Sequence, residues 1–324
     1  MRYCLVTSRR WKELFFPGGL TQTLPSGLWQ WLGAFGGTEK DLLIPRCEAD
    51  MEEYDIVHIN VPRANIPFIR QIAECKPKHT KLVVNVDYSI EMWQNGYEHI
   101  TVLLRELDKA DLIFSVESTM ADIISHYLKR PVPVIPHPTN IEQVQGHARE
   151  RRNPKPVIAV IGHRYDKNFT LPYFTFHDID CLSILFGYTK IDAKGIGFYY
   201  DIVNENLPIE KYFNLLAGCD IAIETALTRS YGRSVVECAI LGIPVIGGPN
   251  VEAMRTMFPD TCERIAETRV IHDLIMTLMQ DHEYCDYTVK RAQSKIDNYS
   301  HETCKNMMLE ALGYEVECKQ AVGF

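Results

Sequence analysis

Short apolar runs alternate along this chain with segments of helical spacing, the pattern of βα units wound on a parallel sheet. The first run is RYCLVTS (2–8), and YDIVHIN (54–60), KLVVNVD (81–87), DLIFSV (111–116) and VPVIPH (132–137) follow it. Spacing predicts helices over 98–109 and 118–128. Runs this rich in β-branched residues suit strands covered on both faces. A polar, charged break at 141–155 interrupts the pattern. It restarts with PVIAVIG (156–162), CDIAIET (219–225) and IPVIGG (243–248), and a mostly polar helical stretch with an apolar stripe fills 281–312. The chain therefore reads as α/β, two Rossmann-like domains of similar size in tandem.

Composition agrees with that reading. The 324 residues suffice for two domains, and 46% hydrophobic with 23% charged content is that of a soluble globular protein. The start MRYCLVTSRRWK lacks the form of a signal peptide, and no apolar run reaches the about 18 residues that span a bilayer. The ten cysteines are scattered without a C-x-x-C pair, so they read as reduced thiols of a cytoplasmic protein with no metal site. A net charge of −8 argues against a wholly basic nucleic-acid coat but leaves room for a local basic cleft. Arg9, Arg10 and Lys12 form one basic cluster and HARERRNPK (147–155) another. Each is a solvated face or a phosphate-binding patch.

The chemistry concentrates in SYGRSVVECAILGIPVIGG (230–248). A helix is predicted over 234–241, ended by Gly242, with Pro244 opening the next strand. Ser230, Tyr231, Gly232, Arg233 and Ser234 sit at its amino end, where unpaired N–H groups and the helix dipole favour a phosphate. Glu237 is expected on the first turn. It either reaches past the phosphate to a ribose diol or is an acid placed there by the dipole alone. Arg164 and Lys167, just beyond the strand PVIAVIG, would neutralise a diphosphate at the carboxyl end of the sheet. Asp87 ends an earlier strand, where it is expected to face a cleft or to N-cap the next helix. Tyr199 and Tyr200 either stack on a nucleobase or pack in the core. His58, His79 and His137 have no metal-ligand spacing and read as structural.

These residues resemble the retaining GT-B glycosyltransferases that use nucleotide sugars. Their donor-site segment, E-P-F-G-x-x-x-x-E-A-x-x-x-G-x-P-V, is matched at Gly232, Glu237, Gly242, Pro244 and Val245. VIPHPTNIE (134–142) is similar to their hinge, NYSHETCKNMMLEAL (298–312) to their closing helix, and PGG (17–19) to the glycine loop that faces the donor phosphates. The resemblance implies an acceptor domain over 1–140, a nucleotide-sugar domain over 141–300 and a closing helix over 301–324. It implies donor contacts from Gly18 and Gly19, a UDP-sugar before other donors, and no cofactor. One position departs: Arg229 stands where the segment's first Glu contacts the transferred sugar.

A narrower resemblance bears on that departure. Bacteriophage α-glucosyltransferases acting on hydroxymethylcytosine in DNA are similar at Arg229, Ser230 and Glu237, at VDYS (86–89), at KADLIFS (109–115) and at KGIGFYYD (194–201). It implies duplex DNA as acceptor, held by Arg9, Arg10, Trp11 and Lys12. A glycan or lipid carrier is the competing acceptor, and a catalytically idle nucleotide-binding protein of the same fold is the competing class. The expected mechanism stabilises the leaving diphosphate with Arg164, Lys167 and the helix amino end rather than with a metal. Asp87 would act near the reacting centre. Nothing in the chain marks its oligomeric state.

Overall fold

The computed structural model describes residues 1–6, 27–43, 51–61, 66–87, 91, 97–151, 153–161, 170–186, 200–204 and 207–316. They divide into two compact units. One holds the described residues up to 87, 97–139 and those from 299 onward. The other holds residue 91 and 140–298.

The first unit is built on five parallel strands among the described residues: β1 (Tyr3–Val6), β2 (Leu42–Leu43), β3 (Ile56–Asn60), β4 (Lys81–Val86) and β5 (Leu112–Ser115). Their order across the sheet is β2-β1-β3-β4-β5. Strands β1 and β3 are buried along their whole length, as covered parallel strands must be. The expected strand at 132–137 is reduced to one bridge, Val134 beside Ser115. Pro133 and Pro136 have no N–H to donate, so a longer ladder cannot form there. Helix α1 (Gln30–Ala34) packs on this unit, as do α2 (Ile66–Cys75), α3 (Tyr97–Leu107) and α4 (Ser118–Leu128). The Glu117 carboxylate accepts from the N–H groups of Thr119 and Met120 and so caps α4.

The second unit also has five parallel strands among the described residues, β6 (Val157–Ile161), β7 (Leu182–Phe186), β8 (Ile202–Asn204), β9 (Ile221–Glu224) and β10 (Val245–Gly247), in the different order β10-β9-β6-β7-β8. Its described helices are α5 (Ile141–Gln145), α6 (Thr170–Phe176), α7 (Ile209–Leu216), α8 (Arg233–Ile240), α9 (Glu252–Met257), α10 (Thr268–Gln280) and α11 (His282–Gln293). Its core joins Ile158, Val160, Leu185, Ile221, Ile223 and Ile246 to Ile271, Ile275 and Leu278 of α10.

The stretch 281–312 is not one helix. It breaks into α11 and α12 (His301–Ala311), because Ser300 adopts an extended backbone and its hydroxyl caps Thr303 N–H. Helix α12 belongs to the first unit, where His301 Nε2 meets Gln30 Oε1 at 2.7 Å and Lys305 lies over the Phe35 ring. The chain passes between units at 139/140 and again at 298/299, and Thr139 N–H donates to Tyr299 C=O at 2.7 Å where the two passages meet.

Candidate donor-phosphate and carboxylate site

Strand β9 ends in Glu224, a fully buried carboxylate whose Oε1 accepts from Ala226 N–H at 3.0 Å. The chain beyond it is pinned on both sides. Thr225 Oγ1 donates to Ile161 C=O at 2.6 Å, and Asn250 Nδ2 donates to Leu227 C=O at 2.8 Å. Ser230 and Tyr231 run beside 250–253 with strand-like bonds. Ser230 N–H donates to Asn250 C=O, Glu252 N–H to Ser230 C=O, and Ala253 N–H to Tyr231 C=O. A loop fixed by so many backbone bonds presents its side chains without further ordering cost.

Gly232 then turns the chain into α8 with φ +85°, a left-handed conformation that L side chains rarely adopt. Space forbids a side chain there as well, since an added Cβ would lie 2.3 Å from Val251 Cγ1. No side-chain hydrogen bond caps the amino end of α8. The helix is buried from Ser234 to Ile240, so its amino end is held by the core rather than by a cap. At the other end, Gly242 N–H bonds Ala239 C=O and Ile243 N–H bonds Cys238 C=O, a Schellman stop.

Glu237 is the fifth residue of α8, on the second turn and not on the first as expected, because the helix begins at Arg233. Its side chain is fully buried. Oε2 accepts from the Tyr212 hydroxyl at 2.8 Å. Burial, then the nearby carboxylate, push the Tyr212 phenol well above its usual range, so it stays a donor. Oε1 lies 3.5 Å from Arg233 Nε and has no hydrogen-bond partner. Ser230 Oγ, in a residue 7% exposed, has none either. Buried polar atoms are nearly always bonded, so these two atoms near one helix end leave room for hydrogen bonds to polar groups from outside the chain. Dipole stabilisation alone does not require this burial. Tyr212 carries no sequence signal that ties it to Glu237. Arg229 Nε lies 3.7 Å from Glu91 Oε1, a carboxylate that no sequence spacing points to.

Several expectations change. Tyr200 is buried against Phe176 and Tyr173, with centroids 6.1 and 6.2 Å away, and it precedes β8 at the amino end of the sheet. Stacking on a donor base is therefore withdrawn for it: its phenol is raised by burial and faces core. Trp29 and Trp31 are core residues as well, at 3% and 0% exposure. Arg152 lies outside the described residues, and most of the rest of the mid-chain basic cluster is spent inside the second unit. Arg151 donates to the carbonyls of Leu241 and Gly242, His147 meets Asn214 and Glu210, and Lys155 pairs with Asp180. Arg149 remains beside a shallow hollow of about 350 Å³ with Lys211 and Asn214.

Asp87 follows β4, half-buried, with Oδ2 3.3 Å from His137 Nε2. One D-x-D triplet, Asp178-Ile179-Asp180, has a spacing that suits a divalent cation. It precedes β7 at the amino end of the sheet, with Asp180 held by Lys155. Among the described residues no His, Cys, Asp and Glu group is placed to hold a metal, and no helix is long and apolar enough to cross a membrane. Arg9, Arg10, Trp11, Lys12, Gly18, Gly19, Arg164, Lys167 and Tyr199 lie outside the described residues.

Two five-stranded parallel sheets in one chain, the second with a glycine-turned helix at its carboxyl edge, are the GT-B fold. No protein-family model and no curated protein sequence matches the chain. Solved structures do. The apo structure of OtsA aligns with TM-score 0.67 at 10% identity, covering 82% of this chain and 74% of that one. Anabaena Alr3699/HepE in complex with UDP-glucose aligns at 0.66 and 14% identity, covering 81% and 79%. The trehalose 6-phosphate synthase of Burkholderia multivorans aligns at 0.66 and 10% identity, covering 94% and 83%.

Proposed function

We propose that the protein is a retaining, metal-independent glycosyltransferase that moves a sugar from a UDP-sugar to a hydroxyl acceptor. The observation that carries the reading is Glu237, fully buried behind an α8 amino end with no side-chain cap, with Oε1 lacking a hydrogen-bond partner. A ribose hydroxyl donating to Oε1 would complete that carboxylate, and a diphosphate at the amino end of α8 would meet the helix dipole. HepE, which shares the fold, has been solved with UDP and with UDP-glucose.

In this reading the bond between the anomeric carbon and the phosphate oxygen breaks, and UDP leaves with the electron pair. The acceptor oxygen bonds the same carbon on the same face and gives up its proton. Arg164 and Lys167 stabilise the charge that grows on the diphosphate, with Gly18, Gly19, Arg229, Ser230, Tyr231, Gly232, Arg233 and Ser234 around the donor. Asp87 steadies positive charge on the sugar or takes the acceptor proton. The acceptor we favour is a hydroxymethylated base in phage duplex DNA, on the strength of the Arg229–Ser230–Glu237 and VDYS resemblances, with Arg9, Arg10, Trp11 and Lys12 as its contacts.

The test incubates the purified protein with UDP-sugars and duplex DNA carrying hydroxymethylcytosine, then weighs the digested nucleosides by mass spectrometry. Added sugar mass that persists in EDTA supports the whole reading. Transfer to a glycan or lipid but not to DNA replaces the acceptor and leaves the donor site standing. No transfer and no hydrolysis of any nucleotide sugar sinks the enzymatic reading in favour of an idle nucleotide-binding protein.

A further inference from the structure

The Asp87 carboxylate is met by a buried imidazole whose own proton is dictated by a third residue. Trp31 Nε1 donates to His137 Nδ1 at 3.1 Å. An indole N–H can only donate, so Nδ1 must present its lone pair and the ring hydrogen sits on Nε2. Nε2 lies 3.3 Å from Asp87 Oδ2, within ion-pair range but off the line of a hydrogen bond. None of the three groups is loose. Trp31 is fully buried, edge-on to His58 at 5.7 Å and against Phe114 at 5.7 Å. His137 is 3% exposed and stands between Pro136 and Pro138, which restrict its backbone. Asp87 keeps about a third of its side chain exposed, at 32%. One oxygen is thus faced by the imidazole while part of the group stays open.

We propose that His137, with its tautomer set by Trp31, is a positioning residue that orients the Asp87 carboxylate for sugar transfer. This rests on the role given to Asp87 in the function proposed above. A neutral imidazole N–H facing one oxygen biases the carboxylate's direction without adding a compensating charge of its own. That suits a group whose charge must act on a sugar cation or an acceptor proton.

The test has two arms. Nitrogen-15 spectra of the imidazoles in the wild-type protein read the tautomer directly. Nε2–H at His137 is expected, turning to a mixture in Trp31→Phe, and an Nδ1–H tautomer in the wild type overturns the proposal whether or not the protein transfers sugar. In the transfer assay His137→Leu should lower kcat tenfold to a hundredfold, with donor KM and UDP affinity changed less than twofold. The same change made on Asp87→Asn should cost nothing further, because the histidine acts through that carboxylate. An unchanged kcat, or an equal loss on the Asp87→Asn background, overturns it. Should His137→Leu fail to fold, Trp31→Phe carries the same arm, with a severalfold loss of kcat expected and an unchanged kcat overturning. A wild type that binds UDP but transfers nothing defeats the enzymatic reading and this role together, whereas the kinetic results above defeat this role alone.

Discussion

Each unit is built on a five-stranded parallel sheet, with a different strand order, and the two place buried polar groups differently. In the first, the strands themselves carry buried polar side chains. Tyr3 Oη and His58 Nδ1 lie 2.6 Å apart, His58 Nε2 and Asn85 Oδ1 2.8 Å, and Asn85 Nδ2 donates to Asn60 Oδ1 at 2.9 Å. In the second, Val157–Ile161 is apolar throughout, and the buried carboxylates Glu224 and Glu237 stand at a strand end and on the helix beyond it. A sheet interior tolerates polar groups when they are neutral and mutually bonded. Charge is kept at the carboxyl edge, where a helix end, an arginine and an incoming ligand can share it.

The largest expected effect separates the units by pH. Burial holds His58 neutral and lowers its pKa from the usual 6.5 to about 3. Between those values the unfolded chain binds a proton that the folded chain refuses. Stability is therefore fully present above pH 6.5 and is lost as pH falls towards 3, by about 1.4 kcal/mol per pH unit and about 5 kcal/mol in all. Hydrogen exchange at pH 7 and pH 4.5 should show the first unit losing protection before the second, and His58→Gln should flatten the difference. Equal loss in both units would break the contrast.

Next is the turn that opens α8. Gly232→Ala combines a left-handed backbone with the Val251 clash, so it should cost about 2–4 kcal/mol. Chemical denaturation should place that loss in the second unit and leave the first unchanged. A neutral substitution would mean that the turn adjusts freely. The smallest effect concerns Arg151. Its bonds to Leu241 and Gly242 predict that Arg151→Ala costs about 1–2 kcal/mol of stability. The salt dependence of any DNA binding should stay the same, where a phosphate contact would lower the slope by about one unit. A lower slope would return Arg151 to the DNA face.

Most interior strands were legible because continuous β-branched runs leave few other readings, but Leu182–Phe186, with Ile184 its one β-branched residue, was not; α4 matches its spacing end to end. Leu42–Leu43 and Ile202–Asn204 were not, being edge strands of two and three residues, too short for any period to register. Glu237 stood out as a lone acid in an apolar helix. Its depth, its Tyr212 partner and the displacement of Tyr200 into the core are consequences of tertiary packing across elements far apart in sequence. His137 read as structural for want of metal spacing, and the Trp31 contact that sets its proton spans 106 residues.

In the proposed function, binding of a nucleoside diphosphate depends most directly on Glu237. Calorimetry of UDP binding to the wild type and to Glu237→Gln tests it. The variant should keep its fold and lose roughly tenfold to a hundredfold in affinity, the about 1.5–3 kcal/mol of a hydrogen bond to a charged group. Equal affinity in the two proteins, or a wild type that binds no nucleoside diphosphate, would contradict it.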